Sequence, residues 1–540
     1  MTYRIFSLLV FIVLLLPVLS SQIYAQTNAQ TSSVSAAPKT VEEVLVLVNQ
    51  YCSACHKVPS PNVLPKDSWP RVVSLMADLA YTRFGREFIS AEHVRDITAF
   101  YYGSSPEELP VLPYLEVGNP PLEFALTALE DKARLPLILN VNAVDFGRGK
   151  GNEFLVSDGG SSQLNLLRRS AQDWSETPLA EITIPASTQV VDYDGDGLLD
   201  IVVADLGVYP LTTELAGKII LLRQQASGKF AREILFDGLG RTSDVRVLDL
   251  DQDGDKDIAV AVFGGATGEI FWMENLGSGK HRKHLLFELS GALNVSAGDI
   301  NGDGKVDLVS LIAQEHEMIM GFINQGNGNF KREILARAPH PMFGSTAMVL
   351  IDLDGDQDLD IVFTNGDAFD TQVDPKPYHG VQWLENLGNL KFQFHNIGRF
   401  YGAASVAVGD LDLDGDLDLV VGSWVNYWDD PKRHSMVWYE NNGRQEFTPH
   451  PIADAPAGIV TIALEDVTGD GRPDIVAGSF RMDLFDKVLA QEKEQEQAGQ
   501  PSNQNQGEKT AANNGLPDGI DSTLKPRLIF LENRRLQNTP

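Results

Sequence analysis

The run Cys52-Ser53-Ala54-Cys55-His56 places two thiols and an imidazole within five residues, and it holds both cysteines of the 540-residue chain. Two thiols at this spacing can close a disulfide in an exported protein, exchange electrons as a dithiol, or tether a prosthetic group. The adjoining imidazole suits the last use, because it can ligate a metal held against the thiols. A dithiol of the thioredoxin kind needs a βαβ surrounding, which the flanking pattern lacks. Met76 is the one methionine between His56 and the end of the surrounding region, and core packing is the ordinary use of such a methionine.

A second chemistry repeats along the chain. Nine-residue aspartate-rich loops begin at Asp192, Asp249, Asp299, Asp352, Asp410 and Asp466, each with an acid at position nine and an apolar run after it. Oxygens at positions 1, 3, 5 and 9, with the carbonyl of position 7, can wrap one hard cation such as Ca²⁺. Glycine at position 4 or 6 allows the positive φ of a tight wrap. The candidate ligands are Asp192, Asp194, Asp196 and Asp200, then Asp249, Asp251, Asp253 and Asp257, then Asp299, Asn301, Asp303 and Asp307. They continue with Asp352, Asp354, Asp356 and Asp360, with Asp410, Asp412, Asp414 and Asp418, and with Asp466, Thr468, Asp470 and Asp474. Asn301 and Thr468 lower the ligand charge of their loops. Loops of this kind also close by side-chain-to-backbone hydrogen bonds without a metal. A seventh loop, Asp145 to Glu153, lacks the acids at positions 3 and 5 and is expected to turn without an ion. With or without metal, the role is structural.

Two kinds of element must position these groups. Around the cysteines, Thr40 and Glu43 form a capping box, and Val41, Val44, Leu45 and Val48 make a helical stripe running toward Tyr51. A second helix is expected from Asp67 to Leu79 and a third from Ser90 to Tyr102, ending before Gly103. Residues 40–105 thus read as a small all-α domain, and 106–120 as a proline-rich connector. From 121 the pattern changes to short apolar strands, one of them recurring as Ile270-Phe-Trp-Met-Glu-Asn275 and Val381-Gln-Trp-Leu-Glu-Asn386. Counting the degenerate loop, the starts lie 47 to 58 residues apart with four strands per unit, which predicts an all-β seven-bladed β-propeller over 121–535. Residues 121–129 match the outer-strand pattern of Phe230 to Leu235 and are expected to complete blade seven, removing an open edge. Residues 480–525 form a Gln/Asn/Gly-rich insertion in that blade.

Cys52-Ser-Ala-Cys55-His56 resembles the haem attachment site of the cytochrome c family. The resemblance implies one covalent haem c tethered through Cys52 and Cys55 with His56 on the iron. The Trp69 to Met76 spacing resembles that of c-type domains in which this methionine is the sixth ligand. The aspartate loops resemble FG-GAP or VCBS repeats, as in integrin-type propellers, over roughly 145–535. That resemblance implies the fold and about six structural Ca²⁺ ions, and it says little about activity.

Composition bounds the partners. A formal charge of −31 argues against nucleic acid, although six bound Ca²⁺ would offset roughly 12 of those charges. Residues 1–25 read as a cleaved export signal, with Arg4 before an apolar run, and 26–39 as a linker; a membrane anchor is the alternative, but the run is short and holds Pro17. No later segment is apolar enough to span a membrane, so a periplasmic, secreted or cell-surface location is expected.

In a propeller blade the aspartate loops join strands one and two and share one face, so the longer variable segments occupy the other. There lie His316, His340, Asp367, His379, Trp424, Trp428, His434 and Arg481, which suit a protein-docking rim, a polar ligand such as a carbohydrate, or a catalytic site. The chain is expected to serve in electron transfer, its propeller a docking platform for a redox partner or a small donor or acceptor. An oxidoreductase acting on a carbohydrate-like substrate, with haem as acceptor, is the alternative. Adhesion with a cytochrome sensor is a third reading.

Overall fold

The computed structural model describes residues 39–54, 56–116, 120–129, 135–147, 153–170, 173–209, 212–265, 268–368, 375–452, 456–481 and 526–535. The expected export signal, the linker apart from Lys39, Cys55, part of the degenerate loop and the insertion beyond Arg481 up to residue 525 lie outside these residues.

Three helices form the N-terminal unit: α1 (Val41–Cys52), α2 (Trp69–Phe84) and α3 (Ala91–Ser104). The capping box is present, with Glu43 N–H donating to Thr40 Oγ1 (3.3 Å) and Thr40 N–H donating to Glu43 Oε2 (2.7 Å). α2 begins after a 3₁₀ turn at Lys66–Ser68 and runs past Leu79 to Phe84. It stops at Gly85, whose φ of 63° lets its N–H reach the Tyr81 carbonyl at 2.9 Å. α3 continues through Gly103 instead of ending before it. That glycine faces open space, so the helix loses only the small propensity difference from alanine. Trp69 stacks on Tyr101 with ring centres 3.9 Å apart, and Val48, Leu64 and Ile97 complete a buried core.

Seven antiparallel four-stranded sheets make up the rest. Blade three shows the plan, with strands Thr242–Leu248, Asp257–Val262, Glu269–Asn275 and His281–Glu288. Its second strand is buried at every residue, as is the equivalent Asp360–Asn365 of blade five. Packing against sheets on both sides explains why such strands read as unbroken apolar runs. The outermost strand has only half-buried and exposed residues because only one of its faces is covered. Blade seven is composite: Ile459–Glu465, Asp474–Ser479 and Leu528–Arg535 are joined by Leu122–Ala128, with Phe124 opposite Asn533. The ring is thus closed by hydrogen bonds between distant parts of the chain.

The helical unit lies against the face opposite the aspartate loops. Tyr378, between the second and third strands of blade five, donates to the Met342 carbonyl (2.9 Å), has the Val63 carbonyl of the helical unit 3.3 Å from the same hydroxyl, and lies with Met342 against the helical core. The connector is fixed on blade six, where Leu112 N–H donates to Tyr401 Oη (2.7 Å) and Tyr114 Oη donates to Asp430 (2.9 Å). Arg433 covers the Tyr114 ring at 4.6 Å. No helix among the described residues is long and apolar enough to cross a membrane.

Candidate functional site

The aspartate loops build one arrangement repeatedly. Position nine opens the second strand and is fully buried in all six loops, at Asp200, Asp257, Asp307, Asp360, Asp418 and Asp474. Its two oxygens accept different backbone donors. In blade three, Asp257 Oδ2 takes Leu250 N–H at 2.9 Å and Oδ1 takes Asn275 N–H at 2.9 Å. Burial pushes Asp257, Asp307 and Asp360 up to about 6, against those hydrogen bonds. Position one closes the loop: Asp249 accepts from Gln252 N–H (2.7 Å) and Gly254 N–H (3.1 Å).

The Glu-Asn ending of the third strand has a second use that the repeat pattern alone does not disclose. Asn386 Nδ2 donates to the Ile300 carbonyl of the preceding blade at 3.0 Å, and Asn533 Nδ2 donates to Leu411 at 2.8 Å. Among the described residues, four sets of carboxylates converge within 4.8 Å: Asp192/Asp194/Asp196, Asp249/Asp251/Asp257, Asp352/Asp354/Asp356 and Asp410/Asp412/Asp418. These are the four loops with aspartate at positions 1, 3 and 5.

The opposite face holds a cavity of about 540 Å³ between the helices and the propeller. Cys52, His56 and Met76 line it, among the apolar walls of Trp69, Val72 and Ile97. Cys52 carries a free thiol that burial pushes up to about 11. His56 Nδ1 bonds to the Lys57 carbonyl at 2.8 Å, which leaves Nε2 available, and burial lowers the pKa of the ring. His93 is engaged elsewhere, through Nδ1 with Tyr51 Oη at 2.8 Å. A smaller cavity of about 310 Å³ adjoins, bordered by His56, Lys57, His316, Arg337 and His340.

The residues expected on the rim fall into separate places. His316, His340, Asp367 and His379 gather on blades four and five beside the helical unit. His316 borders both cavities. His340 meets the Tyr378 ring edge-on at 4.7 Å, and burial lowers its pKa to about 4, helped by Lys376 and Lys57. His379 is wholly buried and held well below the usual imidazole range, with Nδ1 accepting from Gly402 N–H at 3.3 Å. The Asp367 carbonyl accepts from Lys376 Nζ at 2.9 Å. Trp424 joins this group at one remove, through Nε1–H to the Gly366 carbonyl (3.0 Å).

Trp428, His434 and Arg481 do not take part. Trp428 N–H and the His434 carbonyl both bond to Asn426, within the blade-six loop that receives the connector. Arg481 N–H donates to the Pro136 carbonyl where blades seven and one meet. Tyr378 and Lys57 are the residues that sequence reasoning passed over. Each is an ordinary residue of an aperiodic segment, so neither carried a signal.

A family model described as the FG-GAP-like repeat matches residues 192–260, 249–310 and 372–421. Those stretches of the chain are similar to FG-GAP-like repeats. The matched stretches contain the loops beginning at Asp192, Asp249, Asp299 and Asp410, and no curated protein matches the chain.

Proposed function

We propose that this chain is an exported monohaem c-type cytochrome, working in electron transfer, whose propeller forms one wall of the redox site. Cys52 and Cys55 would tether the haem, and His56 and Met76 would hold its iron. When bound, haem supplies a one-electron couple, which a thioether ligand raises. The observation that carries this reading is the meeting of Cys52, His56 and Met76 on one largely apolar cavity. The residues fit the group: the thiol is free, the His56 Nδ1 bond fixes the tautomer that offers Nε2, and Trp69, Val72 and Ile97 exclude water. The wall contributed by the propeller also supports its role as a platform for a redox partner. The haemochrome spectrum of the purified protein in alkaline pyridine tests this, and a c-type signature that survives denaturation is expected. Cys52→Ala with Cys55→Ala should abolish covalent retention, and a wild-type protein without the signature sinks the reading.

The aspartate loops are proposed to hold about six structural Ca²⁺ ions. The convergence of carboxylates in the four loops with aspartate at positions 1, 3 and 5 supports this chemistry. The second reading, an oxidoreductase acting on a small polar or carbohydrate-like substrate, is favoured by the imidazole-lined 310 Å³ cavity beside His56. A panel of sugars offered to the oxidised protein distinguishes the two. Haem reduction that His316→Ala and His340→Ala abolish supports the enzyme, and an unchanged spectrum supports the docking module.

A further inference from the structure

We infer that His316, carried by the propeller, is a positioning residue for the haem proposed at Cys52 and His56, donating a hydrogen bond to a carboxylate of that group across the domain boundary. The inference rests on the haem reading above. It begins with the loop that carries the side chain.

Between the second and third strands of blade four, Gln314 has φ 55° and Glu317 has φ 37°. Two non-glycine residues in the left-handed region within four positions are strained, and such strain persists only where the surroundings impose it. Here they do. Glu317 is buried, and its carboxylate accepts from Gly344 N–H (3.1 Å), Ser345 N–H (3.1 Å) and Ser345 Oγ–H (2.6 Å). Ala313 N–H donates to the Gly291 carbonyl at 2.8 Å, and Ala338 N–H to the Glu317 carbonyl at 2.9 Å. The turn is therefore tied to the links on both sides of its blade, and it presents Glu315 and His316 to the helical unit. Arg83 of α2 approaches Glu315 at 4.0 Å from the other side.

The His316 side chain is 7 % exposed and lines the same cavity as Cys52 and Met76. Its Nε2 lies 3.3 Å from Glu315 Oε1, off the line of a hydrogen bond, and is a buried nitrogen without a hydrogen-bond partner. A buried imidazole nitrogen that lies 3.3 Å from the Glu315 carboxylate without a hydrogen bond is available to an occupant of this cavity that brings a polar edge. Haem meets that description, since it is a flat apolar ring with carboxylates at one edge. His56 and His316 also border the smaller cavity together, so the two imidazoles share one side of the site. His56 and Met76 would then hold the iron, and His316 would serve the carboxylates of the group. A donor there offsets carboxylate charge, which favours the reduced, less positive iron.

The test uses the haem-loaded full chain and its His316→Leu and His316→Gln variants, with the midpoint potential read by spectroelectrochemical titration. His316→Leu should lower the potential by about 59 mV, a tenfold change in the one-electron equilibrium. His316→Gln, which can still donate, should recover most of that. Both should retain haem and the wild-type melting temperature. Should the leucine variant fail to load, His316→Phe carries the same comparison. An unchanged potential, or equal shifts in the glutamine and apolar variants, overturns the role of His316 while leaving the haem in place. A wild-type protein without haem overturns the earlier reading, and this one with it.

Discussion

On one face of the propeller, six loops repeat the same hydrogen bonds from blade to blade, and their outer carboxylates are exposed to solvent. On the other face, among the described residues, several polar groups are buried: Glu317, His379 and the unpartnered nitrogens of His316 and His340. The first face spreads its task over many equivalent sites. The second concentrates unfavourable burial of polar groups at blades four and five, where the helical unit sits. Regularity therefore marks the structural end of this molecule. Departure from the repeat marks the end where the helical unit meets the propeller across a cavity.

The sharpest way to break that comparison is to remove its common element. Asp257→Ala leaves the N–H groups of Leu250 and Asn275 without their acceptor inside blade three. At about 1–3 kcal/mol for each orphaned buried group, a loss of about 3–4 kcal/mol is expected in denaturant unfolding under chelating conditions. Asp253→Ala, at an exposed position of the same loop, should cost under about 1 kcal/mol there. Equal losses would show that the loop is stabilised as a whole, without a separate role for position nine.

The opposite face has its own signature, in pH. Burial holds His340 at about 4 in the fold, below the ordinary 6.5. A histidine with a depressed folded pKa contributes its stability in full above 6.5 and loses it as the pH falls from 6.5 toward 4. The upper bound is about 3 kcal/mol, at 1.36 kcal/mol per pKa unit. Melting temperatures of wild type and His340→Phe, followed from pH 7 to pH 4, should diverge in that window, with the variant flatter. Parallel curves would mean that acid sensitivity resides elsewhere.

The regular face was legible from sequence and the irregular one largely was not. Position nine recurs because one buried acid bonds two backbone segments in each of the six aspartate loops, and counting it yields seven blades once Asp145 to Glu153 is included. Phe124 to Leu129 could be matched to Phe230 to Leu235 because outer strands share one-sided exposure, and the first of these does lie in the outer strand of blade seven. His316 stood out by residue type. The anchoring of its turn through Glu317 did not, since Ser345 lies 28 residues further along an aperiodic link. Nor could the seat of the helical unit be read, because Met342 and Tyr378 look like any apolar residues of a loop. Gly103 misled for a different reason: glycine commonly ends a helix, but this one sits on an open surface where the helix tolerates it.

The mildest test separates blades within the regular face. Arg223 pairs with Asp194 in blade two, Lys305 with Asp303 at 3.0 Å in blade four, and Arg472 approaches Asp470 at 3.6 Å in blade seven. In blade one the position-nine acid is Glu153, and Arg168 Nε meets it at 2.7 Å. Among the described residues, no lysine or arginine is paired with the loop carboxylates of blades three, five and six. There a glutamate stands beside position three instead, with Glu274 near Asp251, Glu385 near Asp354 and Glu440 near Asp412. Removing Ca²⁺ should therefore act unevenly. The global effect expected is about 2.7 kcal/mol where the ion was at a hundredfold excess over its dissociation constant. Amide exchange after chelation should rise most in the loops starting at Asp249, Asp352 and Asp410, where like charges are left facing one another. Blades two, four and seven should change less, because an internal cation stays behind. A uniform rise would show that the side-chain cations do not substitute for metal, and no change at all would remove Ca²⁺ from the loops.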